Sequence, residues 1–163
     1  MTSAGPNPEN DARIPSKVAE GVQRVLAALR RSTTAQGVLL VDGEGQVVAE
    51  AGRGPEERLG EVLPVLSDEV GVTQRLEEGW AGEPVISLHY YEGSSGQIYA
   101  AAGGDFPYLL VVLTKRHGLP PSGVTWLFVR RALQELRALL RSSRMEPEIG
   151  EVLGVVEAER RQG

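Results

Sequence analysis

Gly37-Val38-Leu39-Leu40-Val41-Asp42-Gly43-Glu44-Gly45-Gln46-Val47-Val48-Ala49-Glu50 is the stretch that decides the fold. Two β-branched runs flank a turn of Asp and Gly, a pattern that predicts a β-hairpin. Gly52-Arg53-Gly54-Pro55 closes the unit. Upstream, Val18, Val22, Val25, Leu26 and Leu29 recur at spacings of three and four, so a helix with one apolar stripe begins near Ser16, which serves as its N-cap. Arg30 and Arg31 fall in the last turn, where cations suit the helix dipole.

Downstream, Pro55 with Glu56 and Glu57 reads as a helix start. Pro64 cannot sit in a helix interior without removing a hydrogen bond, so a short piece is expected first. A fresh or kinked helix then runs from about Leu63 to Glu78, with Gly79 as its C-terminal cap. This helix carries two apolar stripes, Leu63, Leu66, Val70 and Thr73 on one side and Val65, Val72 and Leu76, with Glu69 among them, on the other. One stripe suffices to cover a sheet, so the second needs another partner or a wider core.

Three strands are expected next: Val85 to Tyr91, Gln97 to Ala102, and the continuously apolar Tyr108 to Leu113, the last a central strand covered on both faces. A helix from about Ser122 follows, its core face marked by Val124, Phe128, Ala132, Leu136 and Leu139. The order is helix, two strands, helix, three strands, helix, an α/β sandwich with an antiparallel meander. Residues 1–14 read as a loose arm, 15–143 as the domain and 144–163 as a tail. In the tail Met145, Ile149, Val152, Leu153 and Val156 fall at helical spacing among glutamates, with Pro147 placed for a first turn. Such a segment either folds back on its own domain or lies in a partner's groove.

The 163 residues suit one domain with a real core. A net charge of −5 argues against a nucleic-acid partner, and the late arginines, Arg130 to Arg144, read as a solvated helix face. With no cysteine there is no disulfide, thiolate metal site or cysteine nucleophile. No apolar run reaches membrane-spanning length, and the first residues lack a signal core, so the cytoplasm is the expected address.

Catalytic readings find little support. His89 and His117 have no helical ligand partner, and no metal or other cofactor is expected. Ser94, Ser95, Asp105 and His117 supply the residue types of a hydrolytic triad without a nucleophile elbow. Gly103-Gly104-Asp105-Phe106 is similar to the Gly-Gly-Asp-Glu-Phe signature of diguanylate cyclases but lacks its glutamate. A hairpin turn accounts for it, glycine tolerating positive φ. No phosphate-binding loop exists. An enzyme is not expected, and no catalytic residue is assigned.

The stretch 37–52, together with Leu110-Val111-Val112-Leu113 followed by Gly118 to Leu140, resembles the Roadblock family, the dynein light-chain 7 type, and within it the bacterial MglB-type regulators of gliding polarity and motility. The resemblance covers roughly residues 16 to 143. It implies a profilin/longin-like, three-layer α/β sandwich (α-ββ-α-βββ-α) on a five-stranded, mainly antiparallel sheet, with the first and third helices on one face and the second on the other. It implies a dimer, of two copies or with a paralogue, that binds a small Ras-like GTPase. MglB-type members act as GTPase-activating proteins by rearranging the partner's own catalytic residues, without an arginine finger. By this resemblance the third strand pairs with its twofold mate, and the paired middle helices form the docking platform. The implied interface residues are Val65, Glu69, Val72 and Leu76 on the helix and Val85, Ser87, His89 and Tyr91 on the strand. A tail surface of Ile149, Val152, Leu153 and Val156 is compatible with contact to the GTPase. The chain departs from the pattern at Pro64 and at Val70-Gly71-Val72-Thr73-Gln74, where relatives carry small residues. The alternative is a small-molecule sensor of PAS/GAF-like type, which requires an enclosed apolar pocket.

Overall fold

The computed structural model describes residues 16–55, 57–115 and 123–142. The N-terminal arm, His117, the expected helix start at Ser122 and the tail lie outside the described residues. Helix α1 spans Ser16–Thr33 and buries Val22, Leu26, Leu29 and Thr33. Thr34 turns left-handed at φ 52°, and the Ala35 N–H donates to the Arg30 carbonyl, satisfying an end carbonyl of the helix.

The hairpin forms as its sequence requires. Strand β1 is Gly37–Val41 and β2 is Val47–Gly52. Between them one Asp42 carboxylate oxygen accepts the N–H groups of Glu44 and Gln46, each at 2.9 Å. This is how a short acidic side chain stabilises a turn. Gly45 takes φ +90°, where L side chains are strained.

Strands β3 (Ile86–Glu92), β4 (Gln97–Gly103) and β5 (Leu109–Thr114) complete one sheet in the order β2-β1-β5-β4-β3. All four neighbouring pairs are antiparallel. The continuously apolar β5 is central and buried throughout, because both faces of the sheet are covered. α1 and α5 (123–142) cover one face, packing Leu26, Leu29, Val129 and Leu133 on Val38, Leu40, Leu110 and Val112. On the other face Leu63, Leu66 and Val70 meet Leu39, Val41, Leu109 and Val111. Alternation along β1 and β5 thus feeds two separate cores.

Four expectations need correcting. After the expected short piece, α2 (Glu57–Gly60), the helix expected from Leu63 to Glu78 is divided into α3 (Leu63–Leu66) and α4 (Asp68–Gly79). Pro64 sits in the first turn of α3, where a missing N–H costs little. Ser67 then keeps helical angles, but Val70 bonds back only three residues to its carbonyl. The Ser67 hydroxyl is held by the carbonyls of Pro64 and Gly43. Gly79 is the last helical residue and not the cap. Trp80 caps α4, and the left-handed residues are Ala81 and Gly82.

The core face of α5 keeps the expected Ala132 and Leu136 but departs at Val124, Phe128 and Leu139. Thr125, Val129, Ala132, Leu133, Leu136 and Leu140 are buried, while Val124 is exposed and Phe128 and Leu139 are only half-buried. One residue rotates a helix by about 100°, and adjacent stripes of this sequence are both apolar. Finally, the turn after β4 does not use positive φ. Neither Gly103 nor Gly104 is left-handed. Gly104 is instead crowded, since a Cβ there would run into the Glu77 carboxylate.

Candidate docking surface

The middle helical segment separates its two stripes cleanly. Leu63, Leu66, Val70 and Thr73 point into the sheet and are buried. Val65 is 67% exposed, Val72 47% and Leu76 39%. A wider core does not absorb the second stripe, which lies open on the outer face of α3 and α4.

β3 lies beside this stripe and is an edge strand, hydrogen-bonded only to β4. Its side chains alternate. Ser87, His89 and Tyr91 stand opposite Ala102, Ala100 and Ile98, on the face that carries α4. Two contacts tie strand to helix. The Thr73 hydroxyl donates to the Glu69 carbonyl and accepts from the Ser87 hydroxyl, each at 2.6 Å. The His89 Nε2 lies 2.7 Å from the Glu69 carboxylate, both side chains partly exposed. Ala100 and Ala102, small and buried, leave room for α4 to sit close. Glu69, Ser87, His89 and Tyr91 therefore gather with Val72 and Leu76 on one side of the molecule.

Val85 does not join them. It precedes β3, is 8% exposed, and its carbonyl accepts the Gly104 N–H at 3.0 Å. Buried in the single chain, it is not part of the exposed surface. Ile149, Val152, Leu153 and Val156 lie outside the described residues.

The alternate residues of β3 form a second exposed apolar patch that the sequence reading passed over. Leu88 and Tyr90 face the α5 side, and Tyr90 stacks 5.0 Å from Tyr99, itself edge-on to Trp126 of α5 at 5.0 Å. On α5, Val124 and Leu127 are exposed, Leu127 at 67%. The signal was present: in a strand with period two, Leu88 and Tyr90 are the complement of His89 and Tyr91. Desolvation first, then the negative charge of Glu92, pushes the Tyr90 phenol above its ordinary 10.0.

Edge strands offer unpaired N–H and C=O groups to another strand, and charge or proline is the usual guard. Through Tyr91, β3 carries neither proline nor a formally charged carboxylate or ammonium, and its first charged group is the terminal Glu92. At the opposite edge, β2 carries Glu50, whose carbonyl accepts the Gln23 side-chain amide at 2.7 Å.

The residue types of a hydrolytic triad do not converge. Ser94 and Ser95 stand at one end of β4 and Asp105 at the other, a strand of seven residues and so about 20 Å. Asp105 is engaged by Arg137 and Arg141. Among the described residues no three His, Asp or Glu side chains gather to hold a metal ion, and no helix is long and apolar enough to cross a membrane. A cleft of about 460 Å³, lined by Pro55, Leu59, Tyr91, Ile98 and Leu113, is open to solvent.

No protein-family profile matches the chain, and no curated protein matches it in sequence. Solved structures do match. The chain is similar to MglB of Myxococcus xanthus, with 22% identity and a TM-score of 0.62 over 79% of this chain and 94% of that one. It is similar to the gliding protein MglB of Thermus thermophilus, with 21% identity and a TM-score of 0.62 over 80% and 96%. An MglB with a tetrameric arrangement matches at 22% identity and a TM-score of 0.62 over 80% and 95%. The chain has the Roadblock-type, MglB-like fold.

Proposed function

We propose that this protein is a dimeric regulator or scaffold that docks a small Ras-like GTPase on the outward face of α4. One observation carries the reading: the exposed stripe Val65, Val72 and Leu76 lies beside an unguarded edge strand. Burying a Val or Leu side chain contributes about 1.5–3 kcal/mol, so such a stripe favours being covered. Pairing of β3 with β3 of a second copy would satisfy the open edge and bring the two α4 helices to one side of a continuous sheet. The Leu88 and Tyr90 patch would be covered across the same axis, on the opposite face. The MglB-like fold supports this reading, as does the assembly of one such MglB into a tetrameric arrangement.

The regulator supplies a surface, and the chemistry stays with the GTPase. Docking would hold the partner's switch segments in the arrangement that hydrolyses GTP, with no catalytic group from this chain. The test is a single-turnover hydrolysis assay paired with calorimetry, using a Ras-like GTPase encoded in the same genome. Tighter binding to the form loaded with a non-hydrolysable GTP analogue than to the GDP form is expected, together with faster hydrolysis. Equal affinity for both forms, or none, removes the reading. Binding with unchanged turnover would make the protein a scaffold and not an activator.

A further inference from the structure

α1 and α5 lie antiparallel on the face of the sheet away from α4. Near the start of α1, Gly21 packs so closely on Leu139, late in α5, that a Cβ there would come within 3.2 Å of it. At the other end, Leu29 and Ser32 share a hollow with Phe128 and Arg131. Along the outer seam runs an open groove. A cleft of about 670 Å³ over Val25, Ala28, Ala138 and Leu139 continues into one of about 180 Å³, Val25, Ala28 and Glu135 lining both. The residues between the helices are small or apolar, and the rim is cationic. Arg24 and Arg31 stand there, beside Arg131, which pairs with the one carboxylate, Glu135, at 3.7 Å. Ser142, the last described residue of α5, lines the end of this groove.

We propose that residues 147–157 of the same chain occupy this groove as a third helix of the layer. Ser142 lies at the groove's end, and the four residues 143–146 match in number an ordinary helix-to-helix connection, about 2–8. Ile149, Val152, Leu153 and Val156 form one stripe at helical spacing. From Ile149 to Val156 a helix rises roughly 10 Å, within the roughly 16 Å that Gly21 to Ser32 spans. Charge selects the same surface. Glu146 to Glu159 contains five glutamates and no lysine or arginine, opposite the arginine rim. Gly150 and Gly154 weaken this helix in isolation, so it needs a surface to form on. Tethering supplies one, at an effective concentration of roughly millimolar. The inference does not depend on what the α4 face binds.

The absence of cysteine makes a direct test available. Ala28→Cys with Val152→Cys in the full chain places one thiol in the groove and one on the stripe. Val65→Cys with Val152→Cys is the control that places the tail on the α4 face. Ala28 and Val65 are both exposed, and Ala138→Cys gives a second groove position. Under mild oxidation the groove pair should close an intrachain disulfide at least about tenfold faster than the control, as tethered proximity requires. Mass spectrometry identifies the linked peptides, and the thermal midpoint of each variant checks folding. Equal rates, faster closure at Val65, or no disulfide at either groove position overturns the proposal. So does a product of double mass from mixing the two single-cysteine chains, because the tail would then belong to a second copy.

Discussion

Gly45 connects the first hairpin to the middle helical segment. Its φ of +90° excludes most side chains, and a Cβ there would collide with the backbone of Pro64. Gly45→Ala should therefore lower stability by at least about 1–2 kcal/mol, seen as a fall of several degrees in the thermal midpoint. An unchanged midpoint would mean that the turn relaxes away from Pro64. Thr73 is the polar counterpart. Its buried hydroxyl joins α4 to β3 through Ser87. Thr73→Val removes the bond and leaves Ser87 without this partner, so a loss of about 1–2 kcal/mol is expected in a denaturant titration. The glycine-rich turn was legible because its residue types act locally. The crowding of Gly45 by Pro64 was not, since those residues meet only through the fold.

At the scale of elements, the hairpin, α1 and the buried central strand followed from runs of a few residues with one period. The middle helix followed only in part. Both stripes read correctly, but the break at Ser67 depends on a bond to Gly43 across the sheet edge. On α5 the pairs Val124 with Phe128 and Val129 with Leu133 are both apolar at a spacing of four, and only packing on the sheet buries the second pair. The reading of β3 took one of its two faces and included Val85, which precedes the strand and is buried. For α4, Val72→Arg or Leu76→Glu should reduce GTPase affinity by about 30-fold or more, as for an interface hot spot of about 2 kcal/mol, with the circular dichroism of the folded chain retained. Unfolding by both variants would return that stripe to the core. For β3, Leu88→Lys places a charge on the open edge and should yield monomers that keep the circular dichroism of the folded chain, with a midpoint lowered only by the loss of association. A dimer that survives this change would place the interface elsewhere.

At the scale of the molecule, two cores on either side of one sheet leave two different outer surfaces. The α4 face exposes an apolar stripe and adjoins the free edge, while the α1–α5 face has a basic-rimmed groove with Ser142 at its end. On the two proposals made above, partner docking falls to one face and the chain's own tail to the other. The central claim is that two copies, joined at β3, present paired α4 helices to a Ras-like GTPase in its GTP form. Light scattering of the separated complex tests this most directly, with the GTPase loaded first with a non-hydrolysable GTP analogue and then with GDP. The account predicts twice the chain mass for the protein alone, and that mass plus GTPase only with the GTP analogue. A monomer in both cases, or complexes of equal mass with either nucleotide, would contradict it.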